Sequence, residues 1–516
     1  MIIKIKEHPI LGRIWIAFLA AGLILSACAP QAGPVSQAEP AAAAQAVDQP
    51  TSTPDQPIPT PFPTRPLYPP GELVDYVAQT GDTLQQLAKR FNTSVAEILQ
   101  ANSFIPPDAT TMPPGMPMKI PIYYLPLWGS PYQIIPDSLF IDGPSQIGFD
   151  TLGYVAGYPG WLKNYSEYAA DANRSGADIV NYVALRFSVS PRLLLALLEY
   201  QAGALSQPEI PAGLVDYQLG YRSWDHKGLF MQLNWAANLL NSGYYGYRTA
   251  HLLSIEHKDG RLERFDPWQN AATVSLHVYF NSLYNPDQYE IAVSDDGLAK
   301  TYRTLFGDPW QNLQPHIPGS LTQPEFMLPF EPGSIWAYTG GPHTGWGKGE
   351  PYAAVDFAPP SVAAGCLTTA EWALSLADGL VVRSEVGVVV LDLDGDGDER
   401  TGWDIFYLHV AGDGRVEVGA QLKQGDPVGH PSCEGGTATG THIHIARKYN
   451  GEWLPAEGIG GVLAFNLEGW TPHDGSQQYE GTMTRGNQVI YACTCSNQSS
   501  FIQSEKPQAQ PTKNLP

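Results

Sequence analysis

The sequence is short of charge, of basic residues in particular, and of cysteine. Only 16% of its 516 residues are charged, and 29 basic side chains stand against 51 acidic ones. A formal net charge of -22 argues against a nucleic-acid partner, whose phosphates it would repel. The five cysteines include no C-x-x-C spacing, which disfavours a cysteine-built zinc cluster. H-E-x-x-H is absent too, so no helix offers a glutamate base beside two metal-binding histidines. What is plentiful is Gly (51), Pro (46), Tyr (26) and Trp (13), a mix common in extracellular β-rich proteins and carbohydrate binders. The length suggests three or four domains.

The N-terminus points to the compartment. Lys4, Lys6 and Arg13 precede an uncharged apolar run, Ile14 to Leu25, too short for a comfortable membrane span but suited to a signal sequence. The run ends in Leu25-Ser26-Ala27-Cys28, which resembles a bacterial lipobox. That resemblance implies a signal peptide over 1–27, lipidation of Cys28, and an extracytoplasmic protein anchored to the cell membrane. Residues 28–73, rich in Pro, Ala, Gln and Thr, cannot bury a core and read as an extended tether. Cys366, Cys433, Cys493 and Cys495 are expected to form disulfides there, with three full connectivities open. Cys493 and Cys495 sit too close for a comfortable pair, so each is expected to link to Cys366 or Cys433.

Residues 74–123 read as strand, helix, helix, strand. Thr83 with Gln86 and Ser94 with Glu97 are capping-box pairs, each at the head of a short apolar helical pattern. Tyr76-Val77, Gly81-Asp82-Thr83-Leu84, Leu87-Ala88, Phe91, Ile98, Ala101-Asn102 and Gly115-Met116-Pro117 resemble the LysM module throughout. The resemblance implies a βααβ fold that binds N-acetylglucosamine glycans such as peptidoglycan. It places the contacts at Asp82, Thr83 and Leu84 and around Ser103 to Ile105.

Residues 140–312 read as mostly helical. Pro191 to Tyr200 is a strongly apolar helix opened by proline, Gly228 leads into another, and Asp266 to Asn270 starts a third. The order resembles the lysozyme-like fold of soluble lytic transglycosylases. At the position of that family's catalytic glutamate stands Gln201, followed by Ala202, and an amide cannot donate the proton that glycan cleavage needs. Glu199 lies about 200° around the helix from that position. The expectation is a degenerate lysozyme-like domain, non-catalytic but able to hold glycan, with an unrelated helical bundle as the alternative.

From 330 to 496 short strands alternate with Gly-rich turns, as in an antiparallel sheet. On the Thr441-His442-Ile443-His444 strand, residues two apart share a face, so both imidazoles reach one space. Pro342-His343, Val355-Asp356-Phe357, Tyr407-Leu408-His409, Lys423 to Gly429 and Gly440 to His444 together resemble the M23 zinc peptidoglycan endopeptidases, the lysostaphin and β-lytic group. The resemblance implies one Zn2+ per chain on His343, Asp356 and His444, with His409 and His442 catalytic. Two neutral imidazoles and one carboxylate leave a fourth position open, the layout of a catalytic rather than a structural zinc. The step from His343 to Asp356 is longer than in many members and implies an insertion, in which Trp346 and Tyr352 would shape the substrate groove. His316 lies outside the β pattern and is a poor substitute for His343.

Asp392, Asp394, Asp396 and Asp398 imitate the first positions of a calcium loop, but the twelfth position is Trp403 rather than Glu, so an acidic hairpin tip is the expected reading. Residues 497–516 read as a disordered tail. The whole reads as a multidomain, envelope-anchored zinc metalloendopeptidase that cuts peptide amides of peptidoglycan, its partners being that polymer and the membrane. The alternative is a non-catalytic wall-binding lipoprotein, or an activator of other hydrolases.

Overall fold

The computed structural model describes residues 65–123, 129–311, 313–360 and 365–505. Cys28, the signal sequence and nearly all of the tether fall outside the described residues.

The first unit pairs strands Glu72–Val77 and Pro117–Ile122 antiparallel, with helices Leu84–Arg90 and Val95–Ala101 between them. Both capping boxes form as the sequence pattern requires. Leu84, Leu87, Phe91, Ile98 and Ile120 close a small core.

Helices dominate from Thr151 to Phe306. Pro191–Ala202 starts at Ser190, whose hydroxyl accepts the Leu193 N–H, and stops at Gly203, which takes a positive φ of 58°. Its Leu193, Leu194, Leu195, Leu197 and Leu198 are all buried, each contributing about 1.5–3 kcal/mol. The long helix Leu229–Arg248 packs on Ala271–Leu283 at the centre of this region.

The C-terminal region is a nine-stranded antiparallel sheet. Its middle runs Gly379–Glu385, Gly387–Asp392, Trp403–Val410, Ile443–Tyr449, Ala354–Ala358, Ile335–His343. Strand alternation sorts the side chains. Val389, Leu391, Ile405, Tyr407, Ile443 and Ile445 enter one core with Trp336 and Phe465. Val388, Val390, Phe406, Leu408 and Ala446 enter the other, which they share with the helices. Strand residues buried on both faces lose the polar alternation of a solvated sheet.

One buried carboxylate ties the three regions together. Glu452, in the hairpin after the His444 strand, accepts from Arg248 at 3.1 Å, Tyr244 at 2.9 Å and His316 at 2.5 Å. Arg248 also donates to the Thr80 carbonyl of the first unit at 2.5 Å. Burial pushes the Glu452 carboxyl up, but Arg248, then His316 and Tyr244, more than offset it and hold it at about 2.

Two expectations are corrected. The disulfides are Cys366–Cys433 and Cys493–Cys495, not cross-links between these pairs. A turn at Thr494 brings the Cys493 and Cys495 Cα atoms to 5.1 Å, and the Cys493 N–H binds the Tyr338 carbonyl on another strand. The chain from Asn497 to Glu505 is not a disordered tail. Phe501–Gln503 adds an edge strand to Ile335–Ala337, with Ile502 buried in the core beside Trp336. Residues 506–516 lie outside the described residues.

Candidate metal centre

His343 ends its strand, Asp356 lies on the neighbouring strand, and His444 pairs directly with Asp356 across the next ladder. Asp356 and His444 alternate with Val355, Phe357, Ile443 and Ile445, which point into the opposite core. The metal-side residues therefore sit on the sheet face that the helices also pack against. Gly340 is paired opposite Asp356, and a side chain there would run into its carboxylate.

His343 Nε2 lies 2.9 Å from His444 Nδ1 and 3.2 Å from Asp356 Oδ1, and His444 Nδ1 lies 3.3 Å from that same oxygen. Backbone carbonyls set the tautomers. His343 Nδ1 donates to Gly341 O at 2.8 Å and His444 Nε2 to Gly345 O at 3.2 Å. Each neutral ring has then spent its only N–H, so two lone pairs and a carboxylate oxygen crowd together. Asp356 Oδ1 is buried without a hydrogen-bond partner among the described residues. Such a trio is repulsive unless a cation sits in it. Tetrahedral donors at about 2.0–2.1 Å from a zinc ion lie roughly 3.3 Å apart, close to the spacing observed. Burial lowers His444, so its ring stays neutral.

The other two histidines flank this trio. His409 takes a left-handed φ of 66°, a strained conformation for a non-glycine residue. Its Nδ1 donates to Glu434 O at 2.9 Å, and His442 Nδ1 donates to Gly440 O at 2.7 Å. Each thereby keeps Nε2 as an acceptor. The rings lie 4.4 Å apart, and His442 Nε2 is 3.7 Å from Asp356 Oδ2. Burial, then His442 and His444, push His409 down to about 3.

All five histidine and aspartate residues expected at the site are thus brought together. His316 is elsewhere, bound to Glu452. Tyr479 was not legible in the sequence. It stacks on His343 with centroids 4.1 Å apart, arriving from a segment remote in the chain with no motif of its own. The Cys366–Cys433 disulfide was also missed. It joins the loops beside His442, where Thr441 exchanges hydrogen bonds with Gly365 and Leu367.

The other expected residues are placed as follows. Asp82, Thr83 and Leu84 are fully buried. Asp82 accepts from Tyr76 at 2.6 Å, the Gln79 N–H at 2.7 Å and Arg90 at 3.2 Å, and Thr83 caps a helix. Segment 317–321 is pinned to Thr80, Thr110 and Thr111 alongside them, whereas Ser103 and Phe104 stay exposed. Trp346 packs into the core shared with the helices rather than lining an open groove, and Lys348 N–H binds Asn238 on the long helix at 2.6 Å. Glu199 accepts from the Leu205 and Ser206 N–H groups and ties down a loop, while Gln201 accepts from Tyr284 at 2.5 Å.

The chain carries a LysM domain and is related in sequence to a known protease. More particularly, the chain is a homologue of the LasA protease. Residues 133–319 match the LasA N-terminal domain and residues 76–121 match the LysM domain. Protease LasA of Pseudomonas aeruginosa is 26% identical over 341 residues, covering 62% of this chain and 75% of the relative. Among solved structures, the M23 metalloprotease pseudoalterin is 21% identical with a TM-score of 0.28, covering 33% of this chain and 96% of that one. The catalytic domain of lysostaphin from Staphylococcus simulans is 21% identical with a TM-score of 0.18, covering 24% of this chain and 89% of that one.

Proposed function

We propose that this protein is an envelope-anchored zinc endopeptidase that hydrolyses peptide amides of peptidoglycan while its other regions hold the glycan. The observation that carries this reading is the crowding of His343 Nε2, Asp356 Oδ1 and His444 Nδ1 within 2.9–3.3 Å of one another with no proton left to share. A zinc ion bound there supplies Lewis acidity toward an amide carbonyl and lowers the pKa of water to about 7.

His409 and His442 then do the proton work. Burial keeps His409 neutral, so its Nε2 can take a proton when hydroxide adds to the carbonyl carbon. As the C–N bond breaks, His409 returns that proton to the leaving nitrogen, with His442 beside it to orient the water and the amide. A positively charged imidazole next to the carbonyl oxygen also offsets its developing negative charge. The backbone acceptors at Glu434 and Gly440 hold both rings in the required tautomer.

For the glycan, the exposed Ser103–Phe104 loop of the LysM unit is the surface we assign, since Asp82 to Leu84 act from inside. The helical region holds glycan without cutting it, because Gln201 has no proton to donate. We read it as a degenerate lysozyme-like domain from the apolar helix Pro191–Ala202 and the place of Gln201 within it. Cys28 is the anchor to the membrane.

The test is digestion of purified peptidoglycan by the wild type and by Asp356→Ala, with products identified by mass. New free amino and carboxyl termini in the stem or cross-bridge are expected only from the wild type. A zinc-loaded wild type that leaves several wall types undigested would sink the peptidase reading.

A further inference from the structure

Residues 317–321 lie between the helical region and the C-terminal sheet, and the LysM unit grips their backbone. The Thr80 hydroxyl accepts the Ile317 N–H at 2.9 Å and donates to the Ile317 carbonyl at 3.2 Å. The Thr111 hydroxyl accepts the Leu321 N–H at 2.9 Å and donates to the Pro318 carbonyl at 2.7 Å. Thr110 donates to the Leu321 carbonyl at 2.6 Å, and the Thr111 carbonyl accepts the Ser320 N–H at 2.8 Å. Gly319 passes so close that a Cβ there would stand 2.6 Å from Pro113.

The side chains of the same segment belong to the sheet. Ile317 and Leu321 are buried with Trp403 and Leu454 in a small apolar cluster, while Pro318 and Ser320 face solvent. On the LysM side, the Met112 N–H donates to the Asp82 carbonyl at 2.8 Å and ties the Thr80 and Thr111 loops together. The connection between helix Val95–Ala101 and strand Pro117–Ile122 carries Thr110 and Thr111 as well as the exposed Ser103 and Phe104. What this surface holds is a row of amides. Each hydroxyl of Thr80 and Thr111 donates to a C=O and accepts an N–H, using both capacities of its oxygen. The acetamido group of an N-acetylated sugar offers that same pair, one N–H and one C=O.

We propose that residues 317–321 are a built-in stand-in for the glycan, and that an N-acetylated glycan displaces them from Thr80, Thr110 and Thr111. This rests on the reading of the LysM unit as glycan-binding. The segment bonds the LysM unit through its backbone and the sheet through Ile317 and Leu321, so it is a latch between the two. Glycan occupancy and the closed latch exclude each other. The apparent affinity for glycan is then lowered in proportion to the fraction of molecules whose latch is open. A single short oligosaccharide competes poorly on those terms, whereas a polymer that presents many acetamido groups at once competes well. The latch therefore favours release at a dense wall surface over release by soluble fragments.

The test uses the full, zinc-loaded chain with chitotetraose, an N-acetylglucosamine tetramer, and with cellotetraose, which lacks the acetamido groups. Saturating chitotetraose should speed hydrogen exchange of the Ile317, Ser320 and Leu321 amides about tenfold, and cellotetraose should leave it unchanged. Gly319→Val drives the segment off Pro113 and should bind chitotetraose about tenfold tighter than the wild type by calorimetry, with one zinc per chain retained. Chitotetraose binding with unchanged or slower exchange at 317–321 would overturn the latch and leave glycan binding standing. So would equal affinity of Gly319→Val and the wild type. Equal binding of cellotetraose would overturn the acetamido assignment. No binding of chitotetraose by either chain would remove the glycan reading of the LysM unit, and the latch with it.

Discussion

Glu452→Gln is the sharpest perturbation of the way this molecule is held together. The substitution keeps the shape of the side chain and removes one buried charge. Its carboxyl is held at about 2 against an ordinary value near 4.5, a difference of roughly 2.5 pH units. At 1.36 kcal/mol per unit, the ionised carboxylate contributes on the order of 3 kcal/mol near neutral pH. That agrees with the ~3–5 kcal/mol lost when one partner of a buried pair is removed. Arg248 would be left with Asp137, 3.5 Å away. The sign follows from a depressed acid: the contribution is complete above about pH 4.5 and fades as the pH falls toward 2. Urea unfolding of the wild type and the variant, compared pairwise at each pH, isolates this group from other titrating carboxylates. The stability gap should be about 3 kcal/mol at pH 6 and close to zero at pH 2. Because Arg248 also grips Thr80, the LysM unit should loosen together with the sheet in the variant. A gap below 0.5 kcal/mol at pH 6, or one that does not change with pH, would refute the reasoning.

Other outcomes follow from the same geometry. His409→Ala and His442→Ala should each keep about one zinc per chain by elemental analysis yet lose roughly 10²–10⁴-fold in amide hydrolysis. His444→Ala should lose the zinc itself, because it removes a donor atom. Replacing Cys366 and Cys433 by Ser opens a link across 67 residues and should cost about 4 kcal/mol in denaturant unfolding, with hydrolysis falling as the His442 loop loosens. Digests of peptidoglycan should contain no anhydro-sugar products, since Gln201 cannot act as an acid, and mass spectrometry of the soluble fraction checks this.

Much of the local structure was legible because its causes are local. Thr83–Gln86 and Ser94–Glu97 formed the expected capping boxes, since the partners lie within one helical turn. The proline-opened helix at Pro191 and the strand around His444 also fell where their patterns put them. His343, Asp356, His409, His442 and His444 could be singled out because each sits in a short flanked motif. The misreadings share a different cause. Cys493–Cys495 depends on how one turn folds, and Phe501–Gln503 is ordered only because the edge of Ile335–Ala337 offers it unpaired backbone groups.

The sequence by itself determined the chemistry on offer: which side chains could hold a zinc ion, which could carry a proton, and that Gln201 could not. Only the tertiary structure decided where these groups stand relative to everything else. It put His343, Asp356 and His444 on the sheet face shared with the helices, buried Asp82, and set Asp404 opposite Asp392. The physical reason is that capping and strand alternation act over a few residues, whereas strand register and domain packing join residues far apart in the chain, and no short motif encodes that choice.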